Sequence, residues 1–254
     1  MTPETKTVVV TGAAGGMGQA ICRRFVANGY FVIAGDANAD RLMETTDELN
    51  RTGRNALAKA GDLRSKAYCE DLIDTAVSLT RRLDTLVNNA GIITRGTVLE
   101  SSDEDWERTF DINLKAVFYT CRRAIAFIKE NGGGSIVNIS STWGINPGPS
   151  HAAYCASKAA VATFSKCLGR DHAATGIRVN AVCPGEIDTP MLRLGFIHRG
   201  FDPDTAVAEL SKSNPLGRLG APEDIADAVY FLSSDAAHFI AGTTLEVAGA
   251  KAVY

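Results

Sequence analysis

The sequence predicts an α/β protein: a Rossmann-like, doubly wound parallel sheet of about seven strands, with helices on both faces in three α/β/α layers. Short apolar, β-branched runs alternate with segments of helical periodicity along the 254 residues, and this alternation is typical of parallel sheets. A glycine-rich turn directly follows the first predicted strand. No linker, repeat or low-complexity segment interrupts the alternation, so we expect one domain, residues 1–254.

Seven segments are predicted as strands because they are short and apolar, and most end at turn-forming residues. In chain order they are Thr7–Thr11, Tyr30–Ala34, Ala56–Ala60, Thr85–Val87, Ser135–Ser140, Ile177–Val182 and Thr244–Val247.

The segments between these strands place apolar residues at helical spacing. The predicted helices cover residues of about 17–26, 38–52, 68–79, 103–130, 152–174 and 222–232. The long helix at 103–130 begins with Ser102 and three acidic residues, and it ends at a run of glycines, which are start and stop signals. No element is assigned to residues of about 189–215, which we expect to form a substrate loop and a mobile lid.

Composition excludes several classes of function. The net charge is −3, so no basic field favours nucleic acid as a partner. No apolar run approaches a membrane span, and the first residues lack the apolar core of a signal peptide, so we expect a cytoplasmic protein without a membrane partner. None of the six cysteines lie two or three residues apart. We therefore expect reduced thiols and no metal site.

Ligands of such sheets bind at the carboxyl ends of the strands, so the loops there should carry the chemistry. The first of these loops contains Gly12, Gly16 and Gly18 in the spacing G-x-x-x-G-x-G, which differs from the common G-x-G-x-x-G. Glycine lets backbone N–H groups approach a phosphate at a helix start. The position after the first strand favours phosphate binding over a simple strand-to-helix turn.

Asp36 ends the second predicted strand, where a carboxylate can accept hydrogen bonds from the ribose hydroxyls of an adenosine. It would repel a 2′-phosphate. Position 37 is alanine, and Arg41 is expected to face solvent, so the sequence favours NAD over NADP. The alternative is that Asp36 caps the helix from residue 38 onward.

Tyr154 and Lys158 are four residues apart in a predicted helix, so their side chains share a face. A nearby ammonium lowers the pKa of a phenol, which is otherwise about 10, and makes it a better acid and base. Alone, such a pair is more often an ordinary surface pair on an amphipathic helix, so its meaning depends on the rest of the chain.

From Lys6 to about Gly249 the chain resembles the short-chain dehydrogenase/reductase family in its short single-domain form. The matching segments are Thr11–Gly18, Asn88–Gly91, Asn113, Ser140–Ser141, Tyr154–Lys158 and Pro184–Gly185. The resemblance implies an oxidoreductase that interconverts a secondary alcohol and a ketone by hydride transfer with a nicotinamide dinucleotide. It also implies a homo-oligomer, a dimer or tetramer, paired through its long helices.

The resemblance implies roles for single residues. Tyr154 would be the acid/base, Lys158 would lower its pKa and bind the nicotinamide ribose, and Ser141 would bond the substrate oxygen. Asn113 would hold a water of the proton relay, although it could instead be a polar residue that disturbs a long helix. With the residues argued above, the expected cofactor-binding set is Gly12, Gly16, Met17, Gly18, Asp36, Asp62, Leu63, Asn89, Ala90, Gly91, Tyr154, Lys158, Pro184, Gly185, Ile187 and Thr189.

Substrate contacts are expected from residues 142–151 and from the loop after Thr189. Trp143 offers a flat apolar wall, or else packs in the core. Cationic residues could clamp a carboxylate, phosphate or sulfonate of an anionic substrate, or else form a solvated charged face. The candidates for substrate contact are Trp143, His151, Arg193 and Arg199, and His198 lies near the last two.

Two other functions fit parts of this pattern. A protein of this fold could bind NAD as a regulatory or scaffold protein without catalysis, although intact Ser141, Tyr154 and Lys158 argue against it. A sugar-nucleotide epimerase or dehydratase would share the Tyr–Lys pair. Those relatives usually carry a larger C-terminal substrate region, and little sequence follows the last predicted strand here.

Overall fold

The computed structural model describes residues 5–251 and contains one seven-stranded sheet. All pairings between its strands are parallel, in the order β3-β2-β1-β4-β5-β6-β7. The strands are β1 (Thr7–Thr11), β2 (Phe31–Asp36), β3 (Ala56–Ala60), β4 (Thr85–Asn88), β5 (Gly134–Ile139), β6 (Ile177–Pro184) and β7 (Thr244–Val247). Helices cover both faces of this sheet, so the predicted fold class is confirmed.

The helices alternate with these strands up to β6. They are α1 (Gly16–Ala27), α2 (Ala39–Leu49), α3 (Lys66–Thr80), α4 (Asp103–Phe110), α5 (Ala116–Glu130), α6 (Ala152–His172), α7 (Pro190–Ile197), α8 (Pro203–Lys212) and α9 (Pro222–Ser233).

Two apolar clusters lie on opposite faces of the sheet, and the side chains of β1 divide between them. Val8 and Val10 belong to the cluster that also contains Phe25 of α1, whereas Val9 belongs to the cluster that contains Leu72 of α3. Successive side chains of a strand point to opposite faces. Because both faces are covered, β1 reads as an uninterrupted apolar run rather than as an alternating one.

The predicted helix at 103–130 is not one α-helix. A π-helical turn, Asp111–Lys115, lies between α4 and α5. At its centre Asn113 is fully buried, and its side chain bonds to the backbone N–H and carbonyl of Ile92 instead of facing solvent. The expectation that asparagine disturbs this helix is met, and π-helical turns are frequent at functional sites.

The segment at about 189–215, expected to be a loop, contains α7 and α8. Thr189 caps α7 by accepting a hydrogen bond from the N–H of Leu192, and Asp202 caps α8 in the same way. Proline follows each capping residue, which is a favoured first position of a helix. We call residues 188–220 the lid segment. Backbone hydrogen bonds at its two ends, of 2.9 and 3.0 Å, join Asp188 and Glu186 to Gly220.

Within residues 5–251, no helix combines the length and hydropathy needed to cross a membrane. The same residues contain no group of three His, Cys, Asp or Glu side chains placed to hold a metal ion. All six cysteines are unpaired. Burial raises the pKa of Cys22 and Cys121 to about 12, which leaves these thiols protonated at neutral pH.

Candidate active site

Two adjoining cavities open at the carboxyl ends of the strands. The glycine cavity has a volume of about 630 Å³ and is lined by residues 14–18 together with Gly12, Asp36 and Asp62. The tyrosine cavity has a volume of about 420 Å³ and is lined by Ser141, Tyr154 and Lys158. The residues that line both cavities include Met17, Asn89, Gly91, Ile92, Ile93, Arg95, Thr189 and Met191.

The turn between β1 and α1 is shaped by close backbone approach. Gly12 has a φ of 66°, and a Cβ there would lie 2.8 Å from Cα of Ala90. A Cβ at Gly18 would collide with the carbonyl oxygen of Gly12. The first turn of α1 has no capping side chain and no acidic residue. Its start therefore offers N–H donors and a partial positive charge to an anion in the glycine cavity.

Asp36 lies at the edge of the glycine cavity. Its carboxylate accepts hydrogen bonds from the N–H of Ala14 at 3.0 Å and of Asn38 at 2.9 Å. The cap of α2 is Asn38, whose Oδ1 accepts from the N–H of Arg41, so the interpretation of Asp36 as that cap is wrong. Arg41 is exposed, but it also lines the glycine cavity and does not face solvent alone.

Asp62 and Leu63 line the same cavity, after β3. Hydrogen bonds from the side chain and backbone of Arg64 lower the pKa of Asp62. The carboxylate of Asp62 is therefore ionised, and Arg64 neutralises it.

Asn89, Ala90 and Gly91 follow β4 and complete the floor of the glycine cavity. The side-chain amide of Asn89 donates to the carbonyls of Thr11 and Gly12, both at 3.0 Å. Within residues 5–251, its buried Oδ1 has no hydrogen-bond partner. An uncapped helix start, an unused buried acceptor and a carboxylate at the edge fit the phosphates, polar groups and ribose of a dinucleotide.

The tyrosine cavity holds two titratable side chains on α6. Desolvation by burial is the largest cause that raises the pKa of Tyr154, and a hydrogen bond with Ser141 opposes it. Burial lowers the pKa of Lys158 to about 8. The Lys158 Nζ donates to the carbonyl of Ile139 at 2.8 Å and lies 6.0 Å from the centre of the Tyr154 ring.

We expected Lys158 to lower the pKa of Tyr154. The net effect of the protein groups is instead to raise it. The physical reason is that removal of water from the phenol outweighs the hydrogen bond that favours its ionised form.

The two neighbouring serines both line the tyrosine cavity but have different hydrogen-bond partners. The Oγ of Ser141 accepts a hydrogen bond from the N–H of Trp143 at 3.1 Å. Ser140 is buried and donates to the carbonyl of Lys158 at 2.7 Å. Ser141 is thus the serine bonded to Tyr154, and Ser140 anchors α6 to the end of β5.

Asn113 lies behind Tyr154 rather than in either cavity. Its side-chain amide donates to the carbonyl of Ile92 and to the Oγ of Ser157, both at 3.0 Å. Ser157 in turn donates to the carbonyl of Tyr154 at 2.8 Å. Because protein groups use both amide hydrogens of Asn113, a water could be held only by its Oδ1 or by its main-chain carbonyl.

The remaining expected cofactor residues line the tyrosine cavity: Pro184 ends β6, and Gly185, Ile187 and Thr189 follow it. Ile187 forms a parallel bridge with Gly220 at the base of the lid segment. Thr189, at the start of α7, contributes to both cavities.

Of the four candidates for substrate contact, only Trp143 lines the tyrosine cavity among the described residues. Its ring is edge-on to Tyr154 at 6.3 Å between centres. His151 lies behind it, 4.5 Å from the Trp143 ring. Arg193 bonds Asp188 and Asp204 instead of lining either cavity. Arg199 stacks on Phe196 at 4.9 Å and does not line either cavity, whereas His198 lines the glycine cavity.

Four charged residues of the cavity walls are not expected from the sequence: Arg95, Arg108, Glu186 and Lys251. Arg95 follows the segment Asn88–Gly91 and lines both cavities. Glu186 and Lys251 line the tyrosine cavity, where they form an ion pair of 2.8 Å. Arg95 carries a sequence signal, since it lies in the loop after a strand, but the ion pair joins residues that are distant in the chain.

Comparisons with known proteins agree with this geometry. The family profile described as short chain dehydrogenase matches residues 6–196. The 3beta-hydroxysteroid dehydrogenase 1 of Eggerthella lenta is 40% identical over 251 residues, which are 98% of this chain and 94% of that protein.

Two solved structures share the fold over nearly the whole chain. A 3-ketoacyl-(acyl-carrier-protein) reductase from Brucella melitensis, complexed with NADH, has a TM-score of 0.88 and 31% identity, covering 99% of this chain and 100% of that one. The L-sorbose reductase from Gluconobacter frateurii, complexed with NADPH and L-sorbose, has a TM-score of 0.90 and 28% identity, covering 96% and 95%. These proteins act on hydroxyl or ketone groups, and the two structures hold different nucleotides.

Proposed function

Because this chain belongs to the short-chain dehydrogenase/reductase family, we propose that it is an NAD-dependent oxidoreductase that interconverts a secondary alcohol and a ketone. The observation that carries the proposal is that Ser141, Tyr154 and Lys158 line one cavity, which adjoins a second cavity lined by glycines. We propose that a single domain, residues 1–254, binds both cofactor and substrate.

The dinucleotide would lie in the glycine cavity and reach into the tyrosine cavity. The start of α1 would hold its phosphates, Asp36 its adenosine ribose, and Lys158 its nicotinamide ribose. When bound, the nicotinamide supplies the acceptor or donor of the hydride.

We propose NAD rather than NADP because Asp36 presents a carboxylate where a 2′-phosphate would lie. Two backbone N–H groups fix that carboxylate at the edge of the cavity. Arg41 lines the same cavity, five residues after Asp36, and would favour NADP. The test must therefore vary both residues.

Tyr154 would move the proton to and from the substrate oxygen through its hydroxyl group. Because desolvation raises its pKa, the phenol is protonated at neutral pH and suited to donate a proton to a ketone. Ser141, bonded to the same hydroxyl, would orient the substrate oxygen. Alcohol oxidation requires the phenolate, so its rate should rise with pH.

Lys158 would supply positive charge beside this proton transfer. Because its pKa is about 8, the Lys158 side chain is protonated in most molecules at pH 7. One of its N–H groups bonds to Ile139, so two donors remain for a ribose and a water.

The substitution Tyr154→Phe tests the proposal, because it removes the proton-carrying hydroxyl and keeps the ring. We expect the loss of at least about 10³-fold in kcat, given the size of acid–base contributions and the loss of the bond to the substrate oxygen. The affinity for NADH, measured by fluorescence titration, should stay within about threefold of the wild type.

Turnover that survives in Tyr154→Phe would refute this assignment. Absence of turnover in the wild type with a broad panel of secondary alcohols, together with tight NADH binding, would instead favour a regulatory or scaffold function.

Two wider proposals follow from family membership. We propose a homo-oligomer, a dimer or tetramer, paired through the long helices α5 and α6, where Phe118 is 40% exposed. We also propose a cytoplasmic location. Equilibrium sedimentation of the purified chain tests the first of these.

A further inference from the structure

Four charged side chains line the tyrosine cavity: Arg95, Lys158, Glu186 and Lys251. Glu186 and Lys251 neutralise each other at 2.8 Å. Lys158 bonds to the backbone and serves the proton transfer proposed above. Within residues 5–251, Arg95 is therefore the charged residue of this wall that has neither an opposite charge beside it nor a role in the proposed mechanism.

Arg95 lies in a positively charged environment. Within residues 5–251, its guanidinium has no hydrogen-bond or ion-pair partner. Arg95 is exposed, and partial loss of water, followed by the nearby charge of Arg199, lowers its pKa. Burial also lowers the pKa of His151, and both arginines add to that effect. Among the described residues, no carboxylate is paired with the positive charges of Arg95 and Arg199 at this point.

Three other arginines near the two cavities differ from Arg95 in this respect. Arg193 bonds Asp188 and Asp204, while Arg64 bonds Asp62. Arg108, which lines the glycine cavity, bonds Asp105 at 2.8 Å. Arg41, exposed at the glycine cavity, is also without a side-chain partner within residues 5–251, but Arg95 is the arginine that lines the tyrosine cavity.

Backbone contacts of the next residue fix the position of Arg95 beside the two cavities. The N–H of the next residue, Gly96, donates to the carbonyl of Ser150 at 2.7 Å, and Gly96 also forms a bridge with His151. Its side chain reaches α7, where a Cβ on Gly195 would collide with the Nη2 of Arg95. Arg95 thus spans from the loop after β4 to the lid segment, beside both cavities.

We propose that Arg95 binds an anionic group of the substrate, so that the enzyme acts on secondary alcohols or ketones that carry a carboxylate. The apolar walls formed by Trp143, Ile187 and Met191 would hold the carbon skeleton between that carboxylate and Tyr154. This inference rests on the proposed function, because it names the substrate class of the same site. The diphosphate of the nucleotide is a second source of negative charge, since Arg95 also lines the glycine cavity.

Matched acids and amides separate a carboxylate contact from general damage to the site. We compare kcat/KM for 4-hydroxypentanoate and 5-hydroxyhexanoate with kcat/KM for their primary amides, in the wild type and in Arg95→Gln. We expect the wild type to prefer the acids, and Arg95→Gln to lower kcat/KM for the acids by about tenfold to a hundredfold, as for a lost charge-assisted hydrogen bond. The amides should change by less than about threefold. Arg51→Gln, an exposed change of the same charge, should alter neither.

Calorimetry gives a second readout that needs no turnover. The affinity of 4-oxopentanoate and of its amide is measured with NAD⁺ present, where no reduction can take place. Tighter binding of the acid by the wild type, lost in Arg95→Gln, supports the inference, and equal affinities overturn it. If Arg95→Gln weakens NAD⁺ binding while the acid-to-amide ratio stays unchanged, the arginine serves the diphosphate and the inference is wrong.

These outcomes differ from a failure of the proposed function. Turnover retained in Tyr154→Phe would remove the proposed mechanism whatever the substrate. Turnover of neutral alcohols that depends on Tyr154, without any preference for acids, would leave that mechanism in place and overturn the role of Arg95 alone.

Discussion

Loss of water favours the neutral form of both Tyr154 and Lys158. It raises the pKa of the phenol and lowers the pKa of the ammonium to about 8. The four-residue spacing predicts that the two side chains share a helix face. It could not predict their desolvation, which depends on the loop after β5 and on the lid segment.

The buried ammonium of Lys158 predicts a pH dependence of stability. Its pKa of about 8 in the folded chain is below the ordinary value of 10.5, so between these pH values the unfolded chain binds a proton that the folded chain lacks. Stability therefore rises with pH across this window. Relative to Lys158→Met, the free energy of unfolding of the wild type should rise by at most about 3 kcal/mol between pH 8 and pH 10.5. Urea denaturation of both proteins at several pH values measures the difference. A difference that does not vary with pH would contradict this expectation.

At the scale of elements, Ser157 joins the π-helical turn to α6. It accepts a hydrogen bond from Asn113 and donates to the carbonyl of Tyr154. Both Asn113 and Ser157 are fully buried. The helical turn that carries Tyr154 is thereby fixed to a segment that is itself bonded to Ile92, in the loop after β4.

Ser157→Ala should destabilise the fold by about 1–3 kcal/mol, because it leaves an amide hydrogen of Asn113 buried without a partner. Chemical denaturation measures the loss. Ser233→Ala is the matched control, since the Oγ of that buried serine donates to the carbonyl of Val229 in its own helix, and we expect a change within about 0.5 kcal/mol. Equal effects of the two substitutions would show that the bond from Asn113 contributes nothing.

Strands were easier to predict than helices in this chain. β7 has the predicted bounds, and β3 does too, because turn residues delimit their runs. Helical periodicity continues through residues 103–130, so it could not reveal a single wider turn at Asn113. Helices α7 and α8 are short, and only the Thr-Pro and Asp-Pro pairs at their starts indicated them.

At the scale of the whole molecule, both cavities lie where the strand order reverses. β1 is flanked by β2 on one side and by β4 on the other, so the loops after β1 and β4 separate and leave a crevice. The glycines, Asp36 and the Tyr–Lys pair could be placed at this crevice from the sequence, because each follows a predicted strand or lies in the helix after one. The positions of the Glu186 and Lys251 side chains could not, since their ion pair joins residues that are distant in the chain.

A nucleotide bound across this crevice should stabilise the whole fold. At a concentration of 100 times Kd, binding contributes about 2.7 kcal/mol, which corresponds to a rise in Tm of roughly 5–10 °C for a chain of this size. We expect a larger rise with NADH than with NADPH, measured by calorimetric melting at equal concentrations. Asp36→Ala should reduce the difference between the rise in Tm with NADH and the rise with NADPH, and Arg41→Ala should not. A larger rise with NADPH, lost in Arg41→Ala, would reverse the proposed preference.

The two ends of the lid segment are bonded to each other at Gly220. A surface segment whose two ends are hydrogen-bonded to each other can change in length or composition while the strands of the sheet keep their pairing. The lid segment is therefore attached separately from Ser141, Tyr154 and Lys158. We expect that exchange of residues 188–220 would change the part of the cavity wall that Thr189, Met191 and Leu192 form, without a new sheet or a new acid.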